Sequence, residues 1–185
     1  MPRILILYGT TDGHTAKVAR FLADQLHAQG ADVDLIEAGT SDPDPRDYCA
    51  VIVAASVHAG GYQKSVVRWA RDHADALNYT PSAFISVCLG VLQKGPKVER
   101  DLTDITNRFV VQTNWNPPCV KRVAGALLYT QYGWLKRMAM RQIVKKAGGS
   151  TDVSRDHEYT DWDDLRSFAR AFHAMCRVIA RHQAA

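Results

Sequence analysis

The sequence R-I-L-I-L-Y-G-T-T-D-G-H-T, residues 3–15, decides the fold. Its first six residues form a short apolar run of the kind found in strands that are buried on both faces of a parallel sheet. The run ends in a loop rich in glycine and threonine. From Thr15 to Gln29, apolar residues recur at helical spacing, and Gly30 follows them as a typical helix terminator. A buried strand thus leads through a short loop directly into a helix.

The same alternation of strands and helices continues along the chain. Further strands are predicted at Val33–Ile36, Tyr48–Val57, Ser82–Leu89 and Arg122–Leu128, and further helices at Lys64–Leu77, around Leu102–Val110 and after Asp161. This pattern predicts an α/β fold with a doubly wound, five-stranded parallel sheet and helices on both faces. No repeat or linker is visible, so residues 1–185 are expected to form a single domain, with a basic helical insertion near the fifth strand at roughly residues 129–155.

Composition and charge narrow the classes of function. The longest nearly apolar run is about half the length of a membrane-spanning helix. The four cysteines are widely spaced and the N-terminus lacks a signal-peptide core, which favours a reducing cytosol and no metal site. Residues 121–155 hold eight Lys or Arg and one acidic residue. A basic segment of this kind implies an anionic partner, such as lipid headgroups or a carboxylate ligand, and a solvated helix face is the alternative. Because no nucleic-acid-reading motif accompanies it, nucleic acid is not expected as a partner.

The loop after the first strand is expected to bind a phosphate. Ligands of doubly wound sheets bind beyond the carboxyl ends of the strands, and a helix N-terminus favours anions. Thr10, Thr11 and Thr15 offer hydroxyl groups, while Gly13 permits a close approach of the backbone. The loop has neither G-x-G-x-x-G nor G-x-x-x-x-G-K-[ST], and it contains no lysine. These features favour a monophosphate, and an ordinary capped turn is the alternative.

The arrangement T-x-x-G-x-T in this loop resembles the flavin mononucleotide (FMN) phosphate loop of flavodoxins. The resemblance implies that FMN binds there through Thr10, Thr11, Asp12, Gly13, His14 and Thr15. It also implies that two later loops enclose the isoalloxazine ring, with contacts from Ser56, Val57, His58, Tyr62, Cys88, Leu89 and Gly90. Tyr62 is expected to stack on the ring, and a simple helix-entry aromatic is the alternative reading.

Later motifs indicate a narrower family. Residues 125–134 read G-A-L-L-Y-T-Q-Y-G-W, residues 148–152 read G-G-S-T-D, residues 159–162 read Y-T-D-W, and residues 115–117 read W-N-P. In these motifs and in its whole length, the chain resembles the quinone-dependent protoporphyrinogen IX dehydrogenases, whose patterns are G-A-L-x-Y-x-x-Y-x-W, G-G-x-T-D, Y-T-D-W and W-x-P. His58 departs from that family's pattern, which has Arg in the second loop.

The resemblance implies an FMN-dependent oxidoreductase of haem biosynthesis. It would oxidise protoporphyrinogen IX to protoporphyrin IX and pass the electrons to a membrane quinone (menaquinone). No general base is assigned, although His14 and His58 lie close to the expected site. Two alternatives remain, both without porphyrin activity: a flavin-dependent quinone reductase and an electron-transfer flavodoxin.

The insertion is expected to serve the substrate or the membrane. A helix predicted over Tyr132–Ala147 places Arg137, Arg141 and Lys145 on one face, at positions i, i+4 and i+8. Such a face suits the propionates of a porphyrinogen or an anionic membrane surface. The expected location is therefore the cytoplasm, with peripheral attachment to the cytoplasmic face of the inner membrane.

Overall fold

A parallel five-stranded sheet forms the centre of the protein. The computed structural model describes residues 2–92, 95–127 and 156–183. The sheet has the order β2-β1-β3-β4-β5, and its strands are β1 (Arg3–Gly9), β2 (Asp32–Glu37), β3 (Ala50–Ser56), β4 (Ser82–Val87) and β5 (Val120–Val123). All four neighbouring pairs are parallel. Because the order runs outward from β1 in both directions, the connecting helices cover both faces, as the sequence predicted.

The helices divide between two hydrophobic cores, one on each face of the sheet. They are α1 (His14–His27), α2 (Lys64–Asp72), α3 (Ala74–Tyr79), α4 (Pro96–Thr113) and α5 (Trp162–Gln183). Ile4 and Ile6 of β1 face the core formed with α1 and α5. Leu5 and Leu7 face the core formed with α2, α3 and α4. This two-sided burial explains why β1 is an unbroken apolar run rather than an alternating one.

Two elements that the sequence predicted as continuous are interrupted in the structure. The strand expected at Arg122–Leu128 ends at Val123, and the chain then forms β6 (Ala126–Leu127), which pairs antiparallel with β7 (His157–Glu158). A run of suitable residues indicates an extended strand but does not specify its partner. The helix expected at Lys64–Leu77 breaks at His73, whose ring bonds Asp42 at 2.7 Å and whose backbone leaves the helical range.

The insertion at residues 129–155, including Arg137, Arg141 and Lys145, lies outside the described residues. Its predicted helix and its basic face stay predictions, as does the single-domain extent of residues 1–185. Within the described parts of the chain, no helix is both long enough and apolar enough to cross a bilayer. The same parts contain no cluster of His, Cys, Asp and Glu side chains suited to a metal ion.

Candidate flavin site

A cavity of about 240 Å³ lies at the carboxyl ends of β1, β3 and β4. All three loops singled out from the sequence contribute to its wall. The lining residues are Thr10, Asp12, His14, Thr15, Ser56, Val57, His58, Ala59, Val87, Cys88, Leu89, Gly125 and Ala126. Thr11, Gly13, Tyr62 and Gly90 belong to or adjoin the same loops but do not line the cavity.

The first loop is shaped by hydrogen bonds within it and by a glutamine from outside it. Gly13 adopts the left-handed conformation, with φ of 84°, and its amide donates to the Thr10 hydroxyl at 3.0 Å. The side-chain amide nitrogen of Gln63 lies 3.1 Å from Oγ1 of Thr11 and 2.6 Å from Oγ of Ser56. Its amide oxygen accepts from the Ser56 backbone at 3.2 Å. Gln63 therefore ties the first loop to the second, a role that no sequence motif signalled.

Thr15 provides the observation that tests whether a phosphate fits. This residue stands in the first turn of α1 and is only 1% exposed, yet its hydroxyl finds no hydrogen-bond partner among the described residues. A buried polar group without a partner is costly, and such groups are found mainly where a ligand or water completes them. Because Thr15 lines the cavity beside the positive end of α1, a phosphate oxygen would complete it. The residues present fit the phosphate of a flavin nucleotide.

His14 is buried beside Thr15 and is fixed by a partner that follows β7, 146 positions further along the chain. Its Nε2 lies 2.7 Å from the Thr160 hydroxyl, which itself donates to the carbonyl of Ala124 at 2.7 Å. Since Thr160 has one proton to donate, Nε2 of His14 must carry the proton in their contact. Burial lowers the pKa of His14, an effect that Glu158 opposes and Lys17 reinforces. A neutral, hydrogen-bonded imidazole agrees with a positioning role for this side chain.

The second loop turns sharply at the cavity wall. The backbones of His58 and Gly61 exchange two hydrogen bonds, at 2.8 and 3.0 Å. Both residues between them have positive φ, 48° at Ala59 and 75° at Gly60, which is the geometry of a type I′ turn. Arg108 of α4 donates to the carbonyl of Gly60 at 3.2 Å and braces the turn from outside. The turn beside the cavity is therefore fixed by its own backbone hydrogen bonds and by the contact with Arg108.

Tyr62 packs against the aromatic core beside the second loop. Its ring packs edge-on against Phe84 and Phe109, with centroids 4.9 and 5.2 Å away. Its hydroxyl lies 2.8 Å from that of Ser86, and burial raises the pKa of this phenol. The structure thus places Tyr62 in the aromatic core, and its stacking on a flavin ring stays a prediction.

The third loop presents the thiol of Cys88 to the cavity. The backbone amide of Gly90 donates to the Cys88 sulfur at 3.2 Å. Burial is the main influence on this group and raises its pKa, so the thiol stays protonated at neutral pH. Cys88 and Leu89 therefore offer a neutral surface to a ligand, while Gly90 stabilises the loop through its hydrogen bond to Cys88.

The β6–β7 ribbon forms a fourth part of the wall that sequence reasoning missed. Gly125 and Ala126 line the cavity. Lys17 of α1 pairs with Glu158 at 2.5 Å, and the Trp162 indole donates to the same carboxylate at 2.7 Å. Burial opposes ionisation of Glu158, but these two bonds keep its pKa below the usual value. The G-A-L and Y-T-D-W motifs mark the ribbon in sequence, although nothing in them indicates contact with a ligand.

Comparison with known proteins identifies the class first. The flavodoxin domain family matches residues 5–154. Oxidised flavodoxin 1 from Bacillus cereus is similar in structure, with a TM-score of 0.55 and 14% identity over 92% of this chain and 96% of that one. At this identity the likeness concerns the fold alone. This is a flavodoxin-like protein, and the fold indicates a flavin cofactor.

Sequence relatives then identify the family. Protoporphyrinogen IX dehydrogenase (quinone) of Escherichia coli strain K12 is 34% identical over 169 residues, which cover 91% of this chain and 93% of the relative. The protein of the same name from Leishmania major is 36% identical over 178 residues, covering 94% of this chain and 76% of the relative. The chain belongs to the family of quinone-type protoporphyrinogen IX dehydrogenases. This confirms the resemblance drawn from the motifs.

Proposed function

We propose that this protein is an FMN-dependent enzyme that oxidises protoporphyrinogen IX to protoporphyrin IX in haem biosynthesis and passes the electrons to a membrane quinone. The observation that carries the proposal is the similarity to two relatives of that name over more than nine-tenths of the chain. The cavity at the strand ends supports the cofactor assignment, because it contains the buried Thr15 hydroxyl, which has no partner in the described parts of the chain. A bound flavin accepts two electrons in each cycle. The oxidation of one porphyrinogen removes six electrons, so it requires three such cycles.

The polar residues and the apolar residues of the cavity would bind different parts of the cofactor. Thr10, Thr15 and the N-terminus of α1 would hold the phosphate through hydroxyl and amide donors rather than through a cation. Val57, Ala59 and Leu89 would face the ring system and exclude water from it. Gln63 would hold the two loops at a fixed separation. The chain's own task in this scheme is binding, orientation and exclusion of solvent.

We propose no general base. The imidazole of His14 is occupied by Thr160 and remains neutral, so it positions the loop. His58 is exposed at the cavity wall, where the family pattern has Arg. A histidine at this position lacks the planar, five-donor guanidinium of an arginine and would offer fewer hydrogen bonds to an anionic substrate.

The substrate and the acceptor would meet the protein on the side of the insertion. The β6–β7 ribbon, from which residues 129–155 extend, borders the cavity. Arg137, Arg141 and Lys145 would attract porphyrinogen propionates or anionic headgroups, and each cation near an anionic leaflet is worth about 1 kcal/mol. We propose peripheral attachment to the cytoplasmic face of the inner membrane, with menaquinone as the acceptor.

The decisive experiment combines purification with a coupled assay. The purified protein should show flavin absorbance, and released cofactor should co-migrate with FMN rather than with riboflavin. Under anaerobic conditions, protoporphyrinogen IX should become fluorescent protoporphyrin only when a menaquinone analogue is present. Quinone reduction with an artificial donor but without porphyrin formation would overturn the proposal in favour of a quinone reductase. Electron transfer without either reaction would favour a carrier flavodoxin.

A further inference from the structure

The first turn of α1 lacks the groups that usually satisfy the beginning of a helix. Its N-cap residue is Gly13, which has no side chain to accept from the free backbone amides, and residues 14–17 include no acid. Thr15 in this turn is 1% exposed, and its hydroxyl has no partner within residues 2–92, 95–127 and 156–183. A phosphate in the cavity would supply what the protein leaves open at this turn.

The N-terminus of α5 provides the contrast. Asp161 precedes this helix, and its carboxylate accepts from the backbone amides of Asp163 and Asp164 at 3.1 and 2.9 Å. Asp163 and Asp164 also place negative charge in the first turn, where the helix dipole favours it. The start of α5 is thus capped by its own residues, whereas the start of α1 depends on a ligand.

Two side chains of the first turn of α1 anchor the β6–β7 ribbon. Nε2 of His14 donates to the Thr160 hydroxyl at 2.7 Å, and that hydroxyl donates at 2.7 Å to the carbonyl of Ala124, which lies just before β6. Lys17, three residues later in the same turn, pairs with Glu158 of β7 at 2.5 Å. The turn that lies against the phosphate site is therefore also the turn that anchors both strands of the ribbon.

We propose that Thr160 and Glu158 are positioning residues that make the ribbon wall of the cavity respond to the phosphate site. A bound phosphate stabilises the first turn of α1, and the contacts from His14 and Lys17 then hold the ribbon against the cavity. When the site is empty, the first turn opens more often, and the ribbon loses both anchors with it. The inference deepens the proposed function and rests on its phosphate site.

The ribbon is short enough for these anchors to matter. β6 and β7 have two residues each, and a ribbon of this size is not stable by itself. The amide of Tyr159 donates to the carbonyl of Gly125 at 3.2 Å, and Gly125 and Ala126 line the cavity. Opening of the ribbon therefore removes part of the cavity wall. By linkage, the free energy that phosphate binding gains from an anchored ribbon equals the free energy that the ribbon gains from phosphate.

Hydrogen exchange on the full-length protein, freed of flavin, tests this coupling. Inorganic phosphate is the probe, because it has no ring system that could contact the ribbon directly. It should slow exchange in the first turn of α1 and also in ribbon peptides that cover residues 124–127 and 156–160, the latter about 5-fold or more. Potassium chloride at the same ionic strength is the control and should slow neither region. Reconstitution with FMN should slow both regions at least as much as phosphate does.

The variant Thr160→Val removes the hydroxyl that joins His14 to Ala124. Phosphate should still slow exchange in the first turn of this variant, but its effect on the ribbon should be largely lost. Thr160→Ser keeps the hydroxyl and should restore the effect. Because Ser lacks a methyl group that Val retains, this rescue identifies the hydrogen bonds, rather than packing, as the cause.

A second variant tests the other anchor and does not alter the buried one. Lys17→Met combined with Glu158→Gln removes the ion pair between α1 and β7, and the response of the ribbon to phosphate should decrease. The matched control is Arg71→Met combined with Asp72→Asn, which removes an exposed ion pair at the end of α2 and should leave the response unchanged.

The outcomes separate this inference from the function on which it rests. If phosphate slows exchange in the first turn but not in the ribbon of the unmodified protein, the coupling is overturned and the proposed function stands. If phosphate and FMN slow neither region, the phosphate site is overturned and the inference with it. An unchanged ribbon response in both Thr160→Val and the Lys17 and Glu158 double variant would overturn the assignment of Thr160 and Glu158. None of these readings depends on porphyrinogen oxidation.

Discussion

At the loop after β1, one buried side chain is expected to affect the stability of the fold and the binding of the cofactor in opposite directions. Replacing Thr15 by Val removes a buried hydroxyl that has no partner among the residues that the structure describes. The apoprotein should therefore keep or slightly gain stability, while FMN affinity should fall about 10- to 100-fold through the loss of a hydrogen bond to a charged group. Thermal melting of the apoprotein and flavin fluorescence titration measure the two effects. Thr15→Ser, which keeps the hydroxyl, should bind FMN nearly normally, and equal affinity of the Val variant would place the phosphate elsewhere.

Ala59 carries backbone strain beside the cavity. Its φ of 48° is unfavourable for a residue with a Cβ atom. Replacing Ala59 by Gly should raise the free energy of unfolding of the apoprotein by about 0.5–1 kcal/mol, measured by urea denaturation. Gly60→Ala is the matched control, because Gly60 has φ of 75° in the same turn and should lose stability when it gains a Cβ atom. A destabilised Ala59→Gly variant would mean that the turn differs from the one described.

His14 gives the protein a pH dependence of known sign. Because burial lowers its pKa below the ordinary value of 6.5, protonation favours the unfolded chain. Its contribution to stability is complete above about pH 6.5 and decreases as the pH falls below that value. His173 is also buried with a lowered pKa and adds to the same loss. His14→Gln should therefore flatten only part of the decline between pH 7.5 and 5 in urea denaturation. An unchanged profile would show that His14 does not titrate in this range.

At the scale of elements, the β6–β7 ribbon should allow the insertion to be removed without loss of the candidate flavin site. Leu127 pairs with His157 in an antiparallel register, so a two-residue Asn-Gly turn in place of residues 129–155 would close a short hairpin. FMN binding should survive, because the ribbon residues and the three loops remain. Porphyrinogen oxidation should be lost, because the basic residues are gone. Flavin titration and the coupled assay measure the two results, and a shortened protein with full activity would contradict a substrate or membrane role for the insertion.

The same ribbon shows where sequence reasoning succeeds and where it stops. The strand–loop–helix at residues 3–15 was predictable because local residues alone build it, and Thr10, Asp12, His14 and Thr15 do line the cavity. Gly125 and Ala126 were not recognised, since their contact with the cavity depends on pairing with β7 some thirty residues later. Tyr62 packs into the core against Phe84 and Phe109. Gln63 forms hydrogen bonds with residues of two different loops. Contacts between residues so far apart in the chain cannot be predicted from local sequence patterns.

At the scale of the whole molecule, the uneven charge of the chain should govern its encounter with partners. Residues 121–155 carry eight cations and one acid, against a net charge of +4 for all 185 residues. The triple variant Arg137→Glu, Arg141→Glu and Lys145→Glu should bind anionic vesicles more weakly or show a raised KM for porphyrinogen. Its flavin content should not change, because the three loops that line the cavity lie outside the segment. Sedimentation with vesicles and steady-state kinetics measure the two effects.

Salt dependence and a control variant can distinguish the effect of the basic segment on vesicle binding from the effect of the net charge of the protein. Attraction between exposed charges weakens as ionic strength rises, so vesicle binding of the unmodified protein should decrease between 50 and 500 mM salt, while that of the triple variant should change little. A control with Arg20, Arg68 and Lys97 replaced by Glu, all exposed residues outside the insertion, alters the net charge equally. If both triple variants lose binding to the same extent, only the net charge matters. If the insertion variant alone loses it, the basic segment is the surface that meets the anionic partner.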